Sequence, residues 1–359
     1  MRLTLWCAMA CGVPRFAAAQ DSSVTFQESR AVTVSGFAVG TYEWDRNARA
    51  NTFAGSKVAL SLFRPWSDNL YLFGQLTTHL EAPEDSAGEA QTHIEIDNLI
   101  VSWTPPGAAS LTLALGRFDA PLGFERGDEP LNLVPTNGFN FALARPAKLT
   151  GAIARYTASP RWAIAAYVAN GWNAELDVNR GKTAGVRVDL LPAEGIAVGF
   201  NALYGPEVAG TDAEQRTLLA ADATLQPASR LILGAELNRG SQRVAGPTSS
   251  WTGVAGTAFW RVGRTVGLTA RGETLRDRDG VASGTPQTLQ SLTIAPWYFY
   301  REAQEGVFSS IERTSFRLPA FSLRPALRID HSDQPVFQTS DGGFRRTNVR
   351  GIIELVYIF

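Results

Sequence analysis

Cysteine is almost missing from this chain: of its 359 residues only Cys7 and Cys11 carry a thiol, and both fall in the first twenty. Without that stretch the chain has no disulfide framework and no thiol chemistry. Histidine is nearly as scarce, with His79, His93 and His331 the whole supply. His331 stands between Asp330 and Ser332, but neighbours in a strand point to opposite faces, so the run is not a catalytic triad. His79 and His93 flank one loop and, with Glu95, could hold a metal, although such a set is more often simply polar. Gly-rich phosphate loops and Cys/His metal spacings are absent. These scarcities argue against an enzyme and imply no cofactor and no metal.

Long apolar runs are lacking too. Nowhere do 18 consecutive apolar residues occur, which excludes a transmembrane helix but not a membrane, because barrel strands are short and alternating. Nor is there an excess of one charge: 33 Lys+Arg stand against 34 Asp+Glu, so no global basic field points to nucleic acid.

What is present begins with a leader. Arg2, the apolar run from Leu3 to Val13 and the small residues Ala17 to Ala19 read as a secretory signal peptide, residues 1–19, cleaved after Ala19. The rival is a lipoprotein signal attached at Cys11, but the segment before it is short and Ala8 stands where Leu is usual. A short periplasmic segment, 20–30, then leads into a barrel over residues 31–359.

The last stretch, TNVRGIIELVYIF at 347–359, alternates. As a strand it puts Val349, Gly351, Ile353, Leu355, Tyr357 and Phe359 on one face, with Arg350 and Glu354 on the other. Such an apolar face would be an aggregation hazard at the edge of a soluble sheet; it suits a strand closing a barrel in lipid. Leu355, Tyr357 and the terminal Phe359 resemble the C-terminal assembly signal of bacterial outer-membrane barrels, which implies the barrel assembly machinery and outer-membrane lipid as partners.

From Ala31 onward the pattern has period two and no sustained helical stripe. Candidate strands fall at 31–45, 55–65, 69–80, 92–104, 109–118, 149–158, 161–171, 182–191, 195–204, 215–226, 229–240, 250–262, 264–276, 286–300, 320–331 and 347–359. Tight turns such as Pro105-Pro106-Gly107 and Pro192-Ala193-Glu194-Gly195 alternate with longer polar loops at 46–54, 81–91, 119–148, 172–181, 205–214, 241–249, 277–285 and 332–346. This is the asymmetry of short periplasmic turns and long external loops. The fold class is therefore all-β, a transmembrane antiparallel up-and-down barrel of about 16 strands, in a range of about 12 to 18. Residues 301–319 break the scheme where a short turn is expected. They extend both strands, form a small plug element, or hide a misplaced strand.

Aromatic residues at strand ends, Trp44, Trp103, Trp162, Trp251, Trp260, Tyr298 and Tyr357, fit interfacial girdles or ordinary packing. The inward parity collects charge. Its basic members are Arg155, Arg187, Arg271, Arg324, Arg328 and Arg350; its acidic members are Glu95, Asp97, Asp189, Asp222, Glu236, Glu273, Asp330 and Glu354. They form either a solvated ion-pair lattice, or an arginine-rich wall on the late strands facing an acidic one across the pore. The longest external loop, 119–148, carries Leu122, Phe124, Leu131, Leu133, Phe139, Phe141 and Leu143, too apolar for free solution. It is expected to fold into the barrel and narrow it, with Glu125, Arg126, Asp128, Glu129 and Arg145 as its constriction charges and the three acids facing the basic strands.

In the same region the run GRFDAPLGFE at 116–125, then Ala144-Arg145-Pro146, Thr150-Gly151, ANGWN at 169–173, DVNRGKT at 177–183, and LRIDHS at 327–332 with Phe337, together resemble the β-barrel porin-2 (OmpL-like) family. The resemblance implies an outer-membrane channel and supplies no substrate. The expected function is a porin passing small hydrophilic solutes or ions, with a homo-trimer as its expected assembly. The alternatives are a non-conducting receptor or structural barrel binding a partner through its loops, and a barrel hydrolase.

Overall fold

The computed structural model describes residues 32–81, 91–243, 246–303, 308, 310–311 and 313–359. The expected leader at 1–19, the segment 20–30 and most of the external loop 81–91 lie outside the described residues.

The strands are β1 (Thr33–Asp45), β2 (Ala50–Ser67), β3 (Leu70–Glu81), β4 (Gln91–Trp103), β5 (Leu111–Asp119) and β6 (Lys148–Ser159). They continue as β7 (Trp162–Ala169), β8 (Thr183–Ala193), β9 (Ile196–Pro206), β10 (Gln215–Ala228) and β11 (Leu231–Arg243). Then come β12 (Thr248–Arg261), β13 (Val266–Asp277), β14 (Gln287–Glu302) and β15 (Pro319–Ser332). A small hairpin, β16 (Phe337–Gln338) with β17 (Phe344–Arg345), precedes the last strand, β18 (Thr347–Ile358). Apart from that hairpin, each strand pairs antiparallel with its chain neighbours, and β18 pairs with β15 and β1, closing a barrel.

Lipid outside and a filled interior explain the alternation. On β7, Trp162, Ile164, Ala166 and Val168 are exposed outward while Ala163, Ala165, Tyr167 and Ala169 are buried inward. Leu355, Tyr357 and Phe359 face out, with the last two rings stacked at 6.0 Å. The seam is closed by reciprocal backbone bonds between Gly36 and Phe359 at 2.9 and 3.0 Å. The terminal ring lies over Gly36, where a Cβ would meet it at 2.7 Å and the Ala59 carbonyl at 2.3 Å.

Three local features depart from the sequence pattern. The first external loop is a tight connection rather than 46–54, because β2 pairs back to Asp45 from Ala50 after a register shift near Val39. In β4 a bulge opposite Gln75 and Leu76 inserts Asp97, so Asp97 and Asn98 both point inward and Leu99, Val101 and Trp103 turn to lipid. Between β14 and β15 the strands reach only to Glu302 and back from Pro319, which pair with each other, and the described residues between them add no strand to the barrel. They make a short antiparallel bridge, Ser310 to Arg317, inside the periplasmic mouth.

Candidate functional site

The alternation that sends apolar side chains to lipid sends the charged ones inward. Arg155 on β6, Arg187 and Asp189 on β8, Asp222 on β10, Glu236 on β11, Arg271 and Glu273 on β13, Arg324, Arg328 and Asp330 on β15, and Glu354 on β18 are all buried. Arg350 and Glu95 are on the same face and partly exposed. Over Arg187, Asp222, Glu236, Arg271, Glu273, Arg324 and Arg328 lies the connection between β5 and β6, set against the inner wall. It contains a 3₁₀ turn, Glu129–Leu131, and a π-helical turn, Asn140–Ala144.

A loop inside a barrel has few backbone partners of its own, and each unpaired buried N–H or C=O is costly. Here the wall supplies them. Cations take carbonyl oxygens: Arg187 donates to Pro121 at 2.8 Å, Arg324 to Asn132 and Glu129 at 2.6 and 3.0 Å, Arg328 to Asn137 at 2.7 Å, and Arg271 to Thr136. Anions take N–H groups: Asp222 accepts from Gly123 at 3.2 Å, Glu236 from Phe124 at 2.8 Å, and Glu273 from Asn140 at 3.0 Å. Two indoles join in, Trp297 donating to the Leu133 carbonyl and Trp251 to that of Ala144, both at 2.9 Å.

The loop returns charges of its own. Glu125 pairs with Arg271 at 2.5 Å and accepts the Gly138 N–H at 2.8 Å, Arg145 pairs with Glu236 at 2.6 Å, and Glu129 with Lys57 at 3.0 Å. Asp128 accepts from Gln75 at 2.9 Å, while Lys148 bridges Asp97 and Asp119 at 2.7 and 2.6 Å. Arg126 folds back on the loop, its guanidinium on the Gly123 carbonyl at 2.9 Å and its N–H on Asn132 at 2.8 Å. Close approach requires glycine on both partners. A Cβ on Gly138 would stand 2.4 Å from the Glu273 carboxylate, and one on Gly234 would stand 2.4 Å from the Phe124 ring.

This arrangement corrects several expectations. Arg324 and Arg328 do not face an acidic wall across water: Arg324 pairs with Glu354 on the adjoining strand, and Asp330 is shared by Arg328 at 2.7 Å and Arg350 at 3.2 Å. Of the loop acids only Glu125 meets a basic late strand; Asp128 and Glu129 turn to β3 and β2. Of the two readings left open for the strand-end aromatics, packing holds for Trp251, which is 2% exposed, while Trp44, Trp103, Trp162, Trp260, Tyr298 and Tyr357 face outward. On the opposite side of the interior, Arg155 and Arg187 each reach Asp189 at 2.7 Å, and Arg187 also holds Asp222 at 2.8 Å.

Burial pushes the Glu125 carboxyl above its ordinary range, with Arg271 pulling against it and Glu273 adding to it. Asp128 is pushed up to about 7, by burial first and then by Asp119 and Asp97, against the pull of Lys148 and Lys57. Among the described residues, no cluster of three or more His, Cys, Asp or Glu side chains is placed to hold a metal. The side chain of His79 lies outside the described residues.

Sequence reasoning missed Lys57, Gln75, Asn132, Thr136, Asn137, Asn140, Lys148 and Trp297. Lys57 alone carried a signal, a charge at the inward parity of Ala59 and Ser61. Gln75 on β3 and Lys148 at the start of β6 act through carboxylates, of Asp128 and of Asp97 and Asp119, and the rest act through main-chain partners or from within the loop.

A closed barrel with these strand pairings and a loop clasped inside defines a porin-type protein of the bacterial outer membrane. The chain belongs to the family described as "Putative beta-barrel porin-2, OmpL-like", which matches residues 31–359. Solved structures share the fold at low identity. The anion-selective porin from Comamonas acidovorans matches at TM-score 0.63 and 10% identity, over 92% of this chain and 99% of that one. The outer membrane channel DcaP of Acinetobacter baumannii matches at TM-score 0.62 and 11% identity, over 91% and 97%. The loop L8 deletion mutant of OmpT from Vibrio cholerae matches at 0.60 and 12%, over 92% and 99%. No curated protein sequence matches the chain.

Proposed function

We propose that the protein is a passive diffusion channel for small hydrophilic solutes or ions, narrowed by the loop between β5 and β6. The observation that carries this is the clasp. A barrel of this strand number encloses an aqueous lumen, and the wall charges are spent on fixing one loop inside it rather than on a catalytic constellation. In this reading most inward charges, Arg155, Arg187, Arg271, Arg324, Arg328, Asp189, Asp222, Glu236, Glu273 and Glu354, hold the walls of the passage in place. Solutes meet Arg350, Lys57 and Glu129, whose side chains keep 28%, 20% and 27% of their surface exposed, together with Glu95. Export by the leader, insertion by the barrel assembly machinery through Leu355, Tyr357 and Phe359, and assembly as a homo-trimer in outer-membrane lipid complete the proposal. A trimer form is recorded for OmpT of Vibrio cholerae.

The test is reconstitution in planar bilayers. Stepwise conductance is expected from the folded protein. Silence at high protein concentration, with heat-modifiable folding demonstrated on gels, would favour the non-conducting receptor barrel instead.

A further inference from the structure

At one end of the barrel β14 and β15 are joined by residues 303–318, whereas the other connections there are 68–69, 104–110, 160–161, 194–195, 229–230 and 262–265. The described part of the connection between β14 and β15 is packed inside the mouth. Phe308 sets its edge against Phe37 of β1 at 4.9 Å, and Phe316 does the same against Phe259 of β12. Ile311 and Leu318 are buried in the same apolar cluster, with Ile232 of β11 and Val356 and Ile358 of β18.

The tip crosses to the opposite wall. Arg313 reaches Asp189 of β8 at 2.6 Å and Asp222 of β10 at 3.2 Å, and Ser315 donates its N–H and hydroxyl to Gln226 of β10 at 2.8 and 3.1 Å. Its backbone bonds close on itself, Ala303 to Leu318 at 2.7 Å and Ile311 to Phe316 at 3.2 Å. The segment is thus an insert seated by side chains, not a prolongation of the sheet. Its apolar seat uses Ile232, Phe259, Trp297 and Phe299, close to the ends of their strands that carry the short turns, whereas the clasped loop is held further in at Glu236, Glu273 and Arg328. The loop meets the insert at two shared residues: Asp222 takes both the Gly123 N–H and Arg313, and Trp297 donates to the Leu133 carbonyl and packs on Phe316. Leu133 of that loop rests in the same cluster.

We infer that the described part of this connection, Phe308, Ser310, Ile311 and residues 313–318, forms a second constriction at the inner mouth, seated beneath the clasped loop, meeting it at Asp222 and Trp297, and pinned across the lumen through Arg313 and Ser315. The inference rests on the channel reading. Two obstacles in series add their resistances, whereas two side by side would not. The apolar seat keeps the insert in place, so the narrowing is permanent rather than a flicker.

The experiment has a placement arm and a conductance arm. The chain has no cysteine beyond Cys11, so Ser315→Cys with Gln226→Cys introduces the only thiols of the barrel. A short bifunctional thiol reagent should bridge them in the folded protein and not in the denatured one; failure to bridge overturns the inference whatever the bilayer shows. In bilayers, replacing 304–317 with a Gly-Asn turn should raise conductance several-fold. Shortening the loop between Phe124 and Leu143 should also raise it, and in the combined variant the two decreases in resistance should sum. Conductance unchanged without the insert, or summed increments of conductance in place of resistance, overturns the series arrangement. A chain that bridges but stays silent both with and without the insert removes the channel reading, and this inference with it. Silence that is relieved by removing the insert supports it.

Discussion

Single side chains in this interior do two tasks at once, and Arg324 shows what that implies for substitution. Its guanidinium pairs with Glu354, which is 0% exposed, and donates to two loop carbonyls. Arg324→Ala therefore strands a buried carboxylate, a loss of about 3–5 kcal/mol when one partner of a buried pair is removed. Urea or heat unfolding followed by gel mobility should show it. Adding Glu354→Ala should recover much of the barrel's stability but not the loop, whose Asn132 and Glu129 carbonyls stay without their donor. Full recovery of both would mean that the pair does not hold the loop.

Asp128 gives the pH dependence. Its carboxyl stands at about 7 in the folded protein against an ordinary 3.8, because it is buried near Asp119 and Asp97. A raised carboxyl binds its proton more tightly when folded, so the stability it contributes is fully present below the ordinary value and is lost as pH rises through about 7. The thermal midpoint of the wild type should fall between about pH 4 and about pH 8, and Asp128→Asn should flatten that fall. A midpoint equally steep in the variant would assign the dependence to another group.

At the scale of the element, the bulge in β4 makes an uncommon prediction about deletions. Removing Asp97 restores simple alternation between Ile96 and Asn98, so the barrel should still fold, losing the Lys148 contact and the Asn98 hydrogen bond. Removing Leu99 instead inverts Ile100 to Trp103, turning Ser102 to lipid and Val101 inward, and should abolish folding. The pair compares one-residue deletions two positions apart by the same heat-modifiability assay. Equal outcomes would deny the bulge.

The same strand shows where the sequence is readable and where it is not. Runs such as Val58, Leu60 and Leu62 announce their faces because lipid accepts only apolar side chains, and that single constraint placed every barrel strand to within a few residues. The bulge is silent because Glu95, Asp97 and Leu99 alternate acceptably in either register. In the candidate site, the apolar content of residues 119–148 and the inward parity of Arg271, Arg324 and Glu236 were legible. Their partners were not, since Asn132, Thr136 and Asn137 are engaged through carbonyl oxygens that every residue possesses. For Trp251 the sequence left girdle and packing open for a related reason: an aromatic at a strand end looks the same whether its N–H meets interfacial water or, as here, the carbonyl of Ala144.

For the molecule as a whole, the seam between β1 and β18 has a consequence in time rather than in space. The strands that meet there are the first and last made, joined through Gly36 and the final residue, Phe359. Until β18 pairs with β1 the sheet has two open edges, which must be shielded from other chains. The loop between β5 and β6 lies early in the chain, while its anchors Arg271, Arg324 and Arg328 lie late in it, on β13 and β15. The clasp is therefore complete only with the last strands in place: β18 both seals the barrel and, through Glu354 on Arg324, steadies a side chain that holds the loop inside it.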